Sequence, residues 1–196
     1  MELAQDRFAY RREIGSCGTQ HTRQIRSATH ELGDLEGLRN FLYLHDNRLS
    51  TLPASIALLK SLRYLNISEN NFSELPKGVC AMKGLIELRV TDNQLTRLPD
   101  CIMNLSNLRE LHLRNNKFET LPTAVCGLSE LRQLDLRGNP LRSLPECLVQ
   151  LERLEKLDLR WVDIEVPSWL LDMELRELFD LQVSRRITPQ IHAFWP

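Results

Sequence analysis

The sequence predicts an α/β fold: a right-handed solenoid (horseshoe) of about six short repeats, with a parallel sheet on its concave side. Two observations support this prediction, namely a strict internal period of 23 residues and, within each period, alternating leucines typical of a half-buried strand. The recurring residues are Asn47, Asn70, Asn93, Asn116 and Asn139, together with Pro53, Pro76, Pro99, Pro122 and Pro145. Because one repeat cannot bury its own apolar face, stability must come from stacking against neighbours.

The strand of each repeat is predicted from its alternation. In one repeat Leu111 and Leu113 point inward, while Glu110, His112 and Arg114 point outward, since side chains alternate between the two faces of a strand. Equivalent strands in successive repeats then form the parallel sheet.

The turn and the return segment are predicted from Asn and Pro. A buried amide such as that of Asn116 can bond backbone groups that the turn leaves unpaired, forming a ladder from repeat to repeat. Pro122 ends the descending run by restricting its backbone angle, after which Val125 and Leu128 cover the outer side of the core.

The motif LRELHLRNNKFETLP, from Leu108 to Pro122, resembles the intracellular leucine-rich repeats that carry an LP signature. That group includes Ras-suppressor-like and plant Ras-group-related proteins, and similar arrays occur in effectors that bacterial pathogens deliver into host cells. The resemblance covers about residues 38 to 173. It implies the scaffold, and it suggests partners linked to small GTPases, but the members of the group differ in what they bind.

The two ends depart from the template, so we expect one domain with an N-terminal segment and cap at 1–37, repeats at 38–173 and a C-terminal cap at 174–196. Residues 22 to 37 have the spacing of a helix, and residues 1 to 20 form either a second cap element or a flexible tail.

The C-terminal end is predicted to be mixed. Val162 replaces the repeating Asn, Ser168 is a candidate N-cap of a helix, and LREL at 175–178 copies the start of another repeat. The three tryptophans of this region either cover the last repeat or provide aromatic anchors for a partner; they are Trp161, Trp169 and Trp195.

Composition predicts a cytoplasmic protein that is neither exported nor membrane-bound, or alternatively one delivered into a host cell by a non-classical route. The formal charge of -1 gives no general attraction to nucleic acid, the first residues contain no apolar signal stretch, and no run is long enough for a membrane span. A monomer is expected.

The cysteines support a reducing compartment, since their number is odd and equivalent cysteines two repeats apart lie about 10 Å from each other, beyond disulfide reach. Cys80 with Cys126, and Cys101 with Cys147, are these equivalent pairs.

The outward strand residues are predicted to form columns on the concave face, where neighbours lie about 4.8 Å apart. Aromatic residues lie at one end. At the other end lies a row of three arginines, the arginine lane, which consists of Arg114, Arg137 and Arg160 and lies beside Asp135 and Asp158. Either these charges neutralise one another on a solvated surface, or the arginines pair with carboxylates or phosphorylated side chains of a protein partner. The candidate partner-binding residues are Phe41, Tyr43, Tyr64, Arg89, His112, Arg114, Asp135, Arg137, Asp158, Arg160 and Trp161.

The sequence contains no phosphate-binding loop, dinucleotide fingerprint, metalloprotease helix motif or nucleophile elbow. His112 and Asp135 are expected to be sheet neighbours, but no Ser or Cys adjoins them to complete a triad. His45 and His112 lie three repeats apart, too far to share a metal ion. We therefore expect no catalysis, cofactor, metal or small-molecule substrate.

Three functions follow from these expectations. The first is a cytosolic adaptor or regulator of a signalling protein. The second is a bacterial effector, or an inhibitor-type protein, that binds a foreign enzyme. The third is a non-catalytic substrate-receptor subunit of an enzyme complex.

Overall fold

The repeats stack into a solenoid, as predicted. The computed structural model describes residues 7–9, 38–165, 167–171, 173 and 177–179. Within these ranges, eight parallel strands of three residues form one sheet whose spatial order equals the chain order. They are β1 Arg7–Ala9, β2 Phe41–Tyr43, β3 Tyr64–Asn66, β4 Glu87–Arg89, β5 Glu110–His112, β6 Gln133–Asp135, β7 Lys156–Asp158 and β8 Glu177–Phe179.

The strand register follows the 23-residue period. Phe41 pairs with Tyr64, Leu42 with Leu65, and the same offset continues to β7. The central leucine of each strand from β2 to β7 is fully buried. The flanking residues lie on the opposite, solvent side of the sheet, which is the concave face.

The outer side of the solenoid consists of 3-10 turns, each preceded by the repeating proline. Pro122 has an extended backbone, with φ −68° and ψ 141°, and its carbonyl accepts a hydrogen bond from the Val125 amide at 3.1 Å. Val125 and Leu128 are fully buried, as expected. The turns are Ala54–Leu58, Lys77–Ala81, Asp100–Asn104, Thr123–Gly127 and Glu146–Gln150. Within the described ranges, no helix has the length and apolar character needed to cross a membrane.

The predicted asparagine ladder is present. The Asn116 amide nitrogen donates to the carbonyls of Val90 at 2.8 Å and Leu113 at 2.9 Å, and its carbonyl oxygen accepts from the Leu95 amide at 3.0 Å. Asn93 and Asn139 make equivalent bonds one repeat away on either side. Each asparagine therefore satisfies buried backbone groups of its own and the preceding repeats.

Replacing Asn116 with alanine is expected to lower the free energy of unfolding by about 2–4 kcal/mol. The cause is that the Leu95 amide and the Val90 carbonyl lose their partners away from water, at about 1–3 kcal/mol for each buried group. Urea unfolding followed by circular dichroism measures the change. Lys117→Ala, at the exposed position that follows, is the control, and an equal loss in both variants would contradict the role of the ladder.

Short elements extend the array at both ends. Strand β1 adds to the first repeat strand, which favours the cap interpretation for this part of residues 1–20. Residues 167–179 provide a helix, α1, at Ser168–Leu171 and then strand β8, and the Leu170 amide donates to the Pro167 carbonyl at 3.0 Å. The helix predicted for residues 22 to 37 lies outside the described residues, as does Trp195. The domain boundaries stay predictions.

The expectation of unpaired cysteines was wrong. Cys80 and Cys101 form a disulfide with a Cα–Cα distance of 5.7 Å, and Cys126 and Cys147 form another at 5.8 Å. The sequence argument compared equivalent positions two repeats apart. The actual partners occupy non-equivalent positions of consecutive 3-10 turns, 21 residues apart, and turns of neighbouring repeats stack directly.

Candidate functional site

The concave face brings the predicted partner-binding residues together. The strand register places Phe41, Tyr64, Glu87 and Glu110 in one column. A second column contains Tyr43, Asn66, Arg89, His112, Asp135 and Asp158. Arg114, Arg137 and Arg160 follow strands β5, β6 and β7 by two residues, and Trp161 occupies the turn after Arg160.

The N-terminal end of this face is an aromatic cluster of Phe41, Tyr43 and Tyr64. The ring centroids of Tyr43 and Tyr64 lie 5.1 Å apart, and those of Phe41 and Tyr64 lie 5.6 Å apart. The Arg89 guanidinium lies 5.9 Å from the centre of the Tyr64 ring. Phe41 is 37% exposed, so the cluster, which lies outside the core, presents apolar surface to solvent.

The centre of the face is a charged cluster around His112. Its Nε2 lies 3.2 Å from Glu110 Oε2 and 3.6 Å from Glu87 Oε1, and its Nδ1 lies 4.0 Å from Asp135 Oδ2. His112 lies beside Asp135, as predicted, whereas Glu87 and Glu110 were not among the predicted site residues. They occupy the outward position two residues before Arg89 and His112, and that spacing was the available signal.

Glu87, Glu110 and His112 are also the described residues that come close enough to hold a metal ion, with their ligand atoms within 4.8 Å of one another. However, Arg89 Nε donates to Glu87 Oε1 at 2.5 Å, so the cluster already contains a cation of its own. Arg89 thus offsets part of the carboxylate charge without an ion, and the His112 ring lies within hydrogen-bonding distance of Glu110.

The C-terminal end of the face contains two aspartate–arginine pairs. Arg137 donates through Nε and Nη2 to the two oxygens of Asp135, at 2.9 and 2.6 Å, and Arg160 binds Asp158 in the same way at 3.0 and 2.8 Å. Both aspartate side chains are almost completely buried, at 5% and 4% exposure. These are bidentate, charge-assisted hydrogen bonds of the strong type.

The environment of Asp135 favours its charged form. Burial by itself would raise the pKa of Asp135, but hydrogen bonds from His112 and Arg137 outweigh it and bring the pKa well below its ordinary value. The bond to Asp135 likewise raises the pKa of Arg137. The pair is therefore ionised throughout the neutral range.

The arginine lane is consequently not uniform. Arg137 and Arg160 are occupied by aspartates, as the lateral-neutralisation alternative expects, whereas Arg114 Nε is buried and has no hydrogen-bond partner in the described part of the chain. A triple change of Arg114, Arg137 and Arg160 to glutamate should therefore lower the melting temperature, because buried Asp135 and Asp158 would each lose a cation and gain a neighbouring carboxylate.

Stability is expected to fall in acid partly through Asp135. A carboxyl group with a lowered pKa in the folded state stabilises the fold above its ordinary pKa of about 4, and this contribution is lost as the pH drops below that value. Melting temperatures measured from pH 6 to 2 should therefore fall less steeply for Asp135→Asn than for the wild type. Glu74→Gln, which removes an exposed partner of Arg97, is the control and should keep the wild-type slope.

Comparison with known proteins agrees with this geometry. A family described as a leucine-rich repeat region matches residues 13–115, and individual leucine-rich repeats match residues 107–128 and 130–151. These families are general, so the LP-signature subtype stays a prediction. No curated protein sequence matches the chain significantly.

Three solved structures show the same architecture. A leucine-rich-repeat protein of Leptospira interrogans is 30% identical with a TM-score of 0.72, and the match covers 75% of this chain and 38% of that one. An internalin of Listeria monocytogenes is 25% identical with a TM-score of 0.62, covering 70% of this chain and 39% of that one. The third structure is the ectodomain of the Arabidopsis thaliana receptor kinase GASSHO1/SCHENGEN3 in complex with CASPARIAN STRIP INTEGRITY FACTOR 2. It is 30% identical with a TM-score of 0.64, and the match covers 73% of this chain and 18% of that one. The chain thus spans less than two-fifths of each of these three structures.

Proposed function

The chain belongs to the leucine-rich-repeat family, and on that premise we propose that its concave face binds a protein partner. The observation that carries the proposal is the aromatic cluster of Phe41, Tyr43 and Tyr64 on the solvent side of the sheet. The core of these strands is filled by the leucines of the opposite face, such as Leu42 and Leu65. The aromatic rings are therefore not needed to fill it.

The remaining surface suits a protein better than a small ligand. Aromatic side chains and arginines are the residues that most often dominate the binding energy of protein interfaces. Here the aromatic cluster, on β2 and β3, and the paired arginines, after β6 and β7, lie on either side of the charged cluster around His112. A partner that contacts both groups must extend across several strands.

Similar solenoids support a partner of this class. The Arabidopsis thaliana receptor ectodomain was solved in complex with an integrity factor, and it shares this architecture over 73% of the present chain.

The disulfides favour one setting for this interaction. Disulfides persist mainly in oxidising environments, and two of them link consecutive repeats here. We therefore favour a partner met outside the reducing cytosol, which fits the inhibitor-type hypothesis better than a cytosolic adaptor, a substrate receptor or an effector delivered into a host cell.

A capture experiment with matched variants tests the proposal. The concave variant replaces Phe41, Tyr43 and Tyr64 with serine, and the control variant replaces three exposed apolar residues of the outer turns with serine, namely Leu58, Met103 and Val149. Each immobilised protein is used to recover partners from conditioned medium or extract, which are quantified by mass spectrometry.

At least one protein should be recovered equally by the wild type and the control variant, and at least tenfold less by the concave variant. The melting temperatures of both variants should remain near that of the wild type, since none of the changed residues is fully buried. Equal recovery by the concave variant would contradict the assignment of the concave face.

A further inference from the structure

Two of the three arginines of the arginine lane bind an aspartate, and these two pairs show what the third arginine, Arg114, lacks. In two consecutive repeats an aspartate, Asp135 or Asp158, lies two residues before the arginine and binds it through both carboxylate oxygens at 2.6–3.0 Å. In the preceding repeat that position is His112, which contacts Glu110 and Glu87 instead. Arg114 is therefore the lane position that has no aspartate two residues before it.

Arg114 has an unmet hydrogen-bonding requirement. Its Nε is buried and no atom of the described residues accepts its proton. Buried donors are normally satisfied, and an unsatisfied one in a native protein calls for an explanation. A carboxylate supplied from outside would satisfy Arg114 in the way that Asp135 satisfies Arg137, once the guanidinium turns its buried Nε edge towards the concave surface.

An exposed aromatic ring borders this position. Trp161 is 58% exposed, and the guanidinium of Arg114 lies 5.8 Å from the centre of its ring, with that of Arg160 at 6.0 Å. Trp161 also lines a surface groove with Pro140 and Leu141.

The backbone of Trp161 is unusual for so large a residue, because its φ is +62°. Positive φ is uncommon for bulky side chains and persists only where the surroundings enforce it. The same turn position in the other repeats holds small or acidic residues, which are Asp46, Glu69, Asp92, Asn115 and Gly138. The turn thus places an aromatic surface beside the unsatisfied guanidinium.

We propose that Arg114 and Trp161 form a binding site for an aspartate or glutamate side chain of the polypeptide partner, an inference that rests on the proposed protein-binding function. Arg114 donates to both carboxylate oxygens, and Trp161 packs against the methylene groups and the adjoining residue of the partner. The lane itself holds three arginines and two aspartates, so one additional negative charge balances it. The buried carboxylates of Asp135 and Asp158 disfavour a doubly charged phosphate at the same place.

The test uses a random twelve-residue peptide library, displayed so that no peptide has a free C-terminus. The library is selected on the full chain, and the enriched peptides are synthesised with amidated ends. Their affinities are measured for the wild type and for Arg114→Gln, Arg114→Lys and Arg97→Gln. Arg97 is the matched control, since it is an exposed arginine paired with Glu74 away from the lane. Thermal melts verify that each variant is folded.

The enriched peptides should share an acidic residue next to an apolar one. Arg114→Gln should weaken binding at least tenfold, and changing the acidic residue of the peptide to its amide should have the same effect. Arg114→Lys should give an intermediate affinity because lysine cannot form the two-pronged bond, and Arg97→Gln should bind like the wild type.

The outcomes separate the inference from the function on which it rests. Peptides that bind the wild type and lose affinity with the Phe41, Tyr43 and Tyr64 variant, but tolerate Arg114→Gln, would overturn the carboxylate site and leave protein binding intact. Enrichment of basic or purely apolar peptides whose binding is insensitive to Arg114→Gln would overturn it equally. Failure to enrich any peptide on the wild type would count against both.

Discussion

Loss of both disulfides is expected to lower the free energy of unfolding by about 6 kcal/mol, about 3 kcal/mol for each. Each bond closes a loop of about 22 residues in the unfolded chain, and loop closure of that size stabilises the folded state by roughly this amount. The loops run from Cys80 to Cys101 and from Cys126 to Cys147, and they do not overlap. The two contributions should therefore be nearly additive.

Urea unfolding of the wild type, Cys101→Ser, Cys147→Ser and the double variant measures this effect, with and without a reducing agent. The reducing agent should destabilise the wild type strongly and the double variant little. Thiol titration in denaturant should find one reactive thiol before reduction, that of Cys17, and five afterwards. Five thiols in the oxidised protein would remove both the expected stabilisation and the reason to favour an oxidising compartment.

Replacing Phe118 with alanine is expected to lower the free energy of unfolding by about 3–5 kcal/mol. The side chain is fully buried and is among the largest in the core. Its removal loses apolar burial and leaves a cavity that stacked neighbours fill poorly. Leu95 and Leu141 occupy the equivalent position in the adjoining repeats, so the chain alternates phenylalanine and leucine along this row.

That alternation provides the control. Phe118→Leu introduces the residue found at the equivalent position of both adjoining repeats. It should lower the free energy of unfolding by well under half as much as Phe118→Ala does. Chemical denaturation of both variants distinguishes the outcomes. Equal losses would show that the row depends on the phenylalanine ring and not on the filled volume.

Much of the fold and part of the candidate site could be predicted because a fixed period turns sequence spacing into spatial adjacency. The residues that lie 23 apart pair across the sheet, so the columns from Phe41 and Tyr43 onward were correct. The ladder bonds of Asn116 follow from the same period, because the asparagine position repeats with the strand.

The interactions within the site were less accessible to this reasoning. Arg137 was a candidate partner-binding residue with neutralisation by neighbouring aspartates left open, and the structure shows it bound to Asp135 of its own repeat and 3.3 Å from Asp158. A pattern of outward positions shows which side chains share a face, but side-chain rotamers decide which charges pair with each other. The glutamates around His112 were left out of the site for the same reason.

Residue spacing is enough to predict a stacked solenoid with leucines inside, an asparagine ladder and a concave sheet with defined columns. Those features depend on contacts between equivalent positions, and a repeat of constant length makes such contacts readable along the chain. The folded structure adds which cysteines meet, which arginines are already paired with aspartates and that Arg114 has no such partner. Those features depend on contacts between non-equivalent positions of neighbouring repeats and on the directions of individual side chains, which the period does not specify.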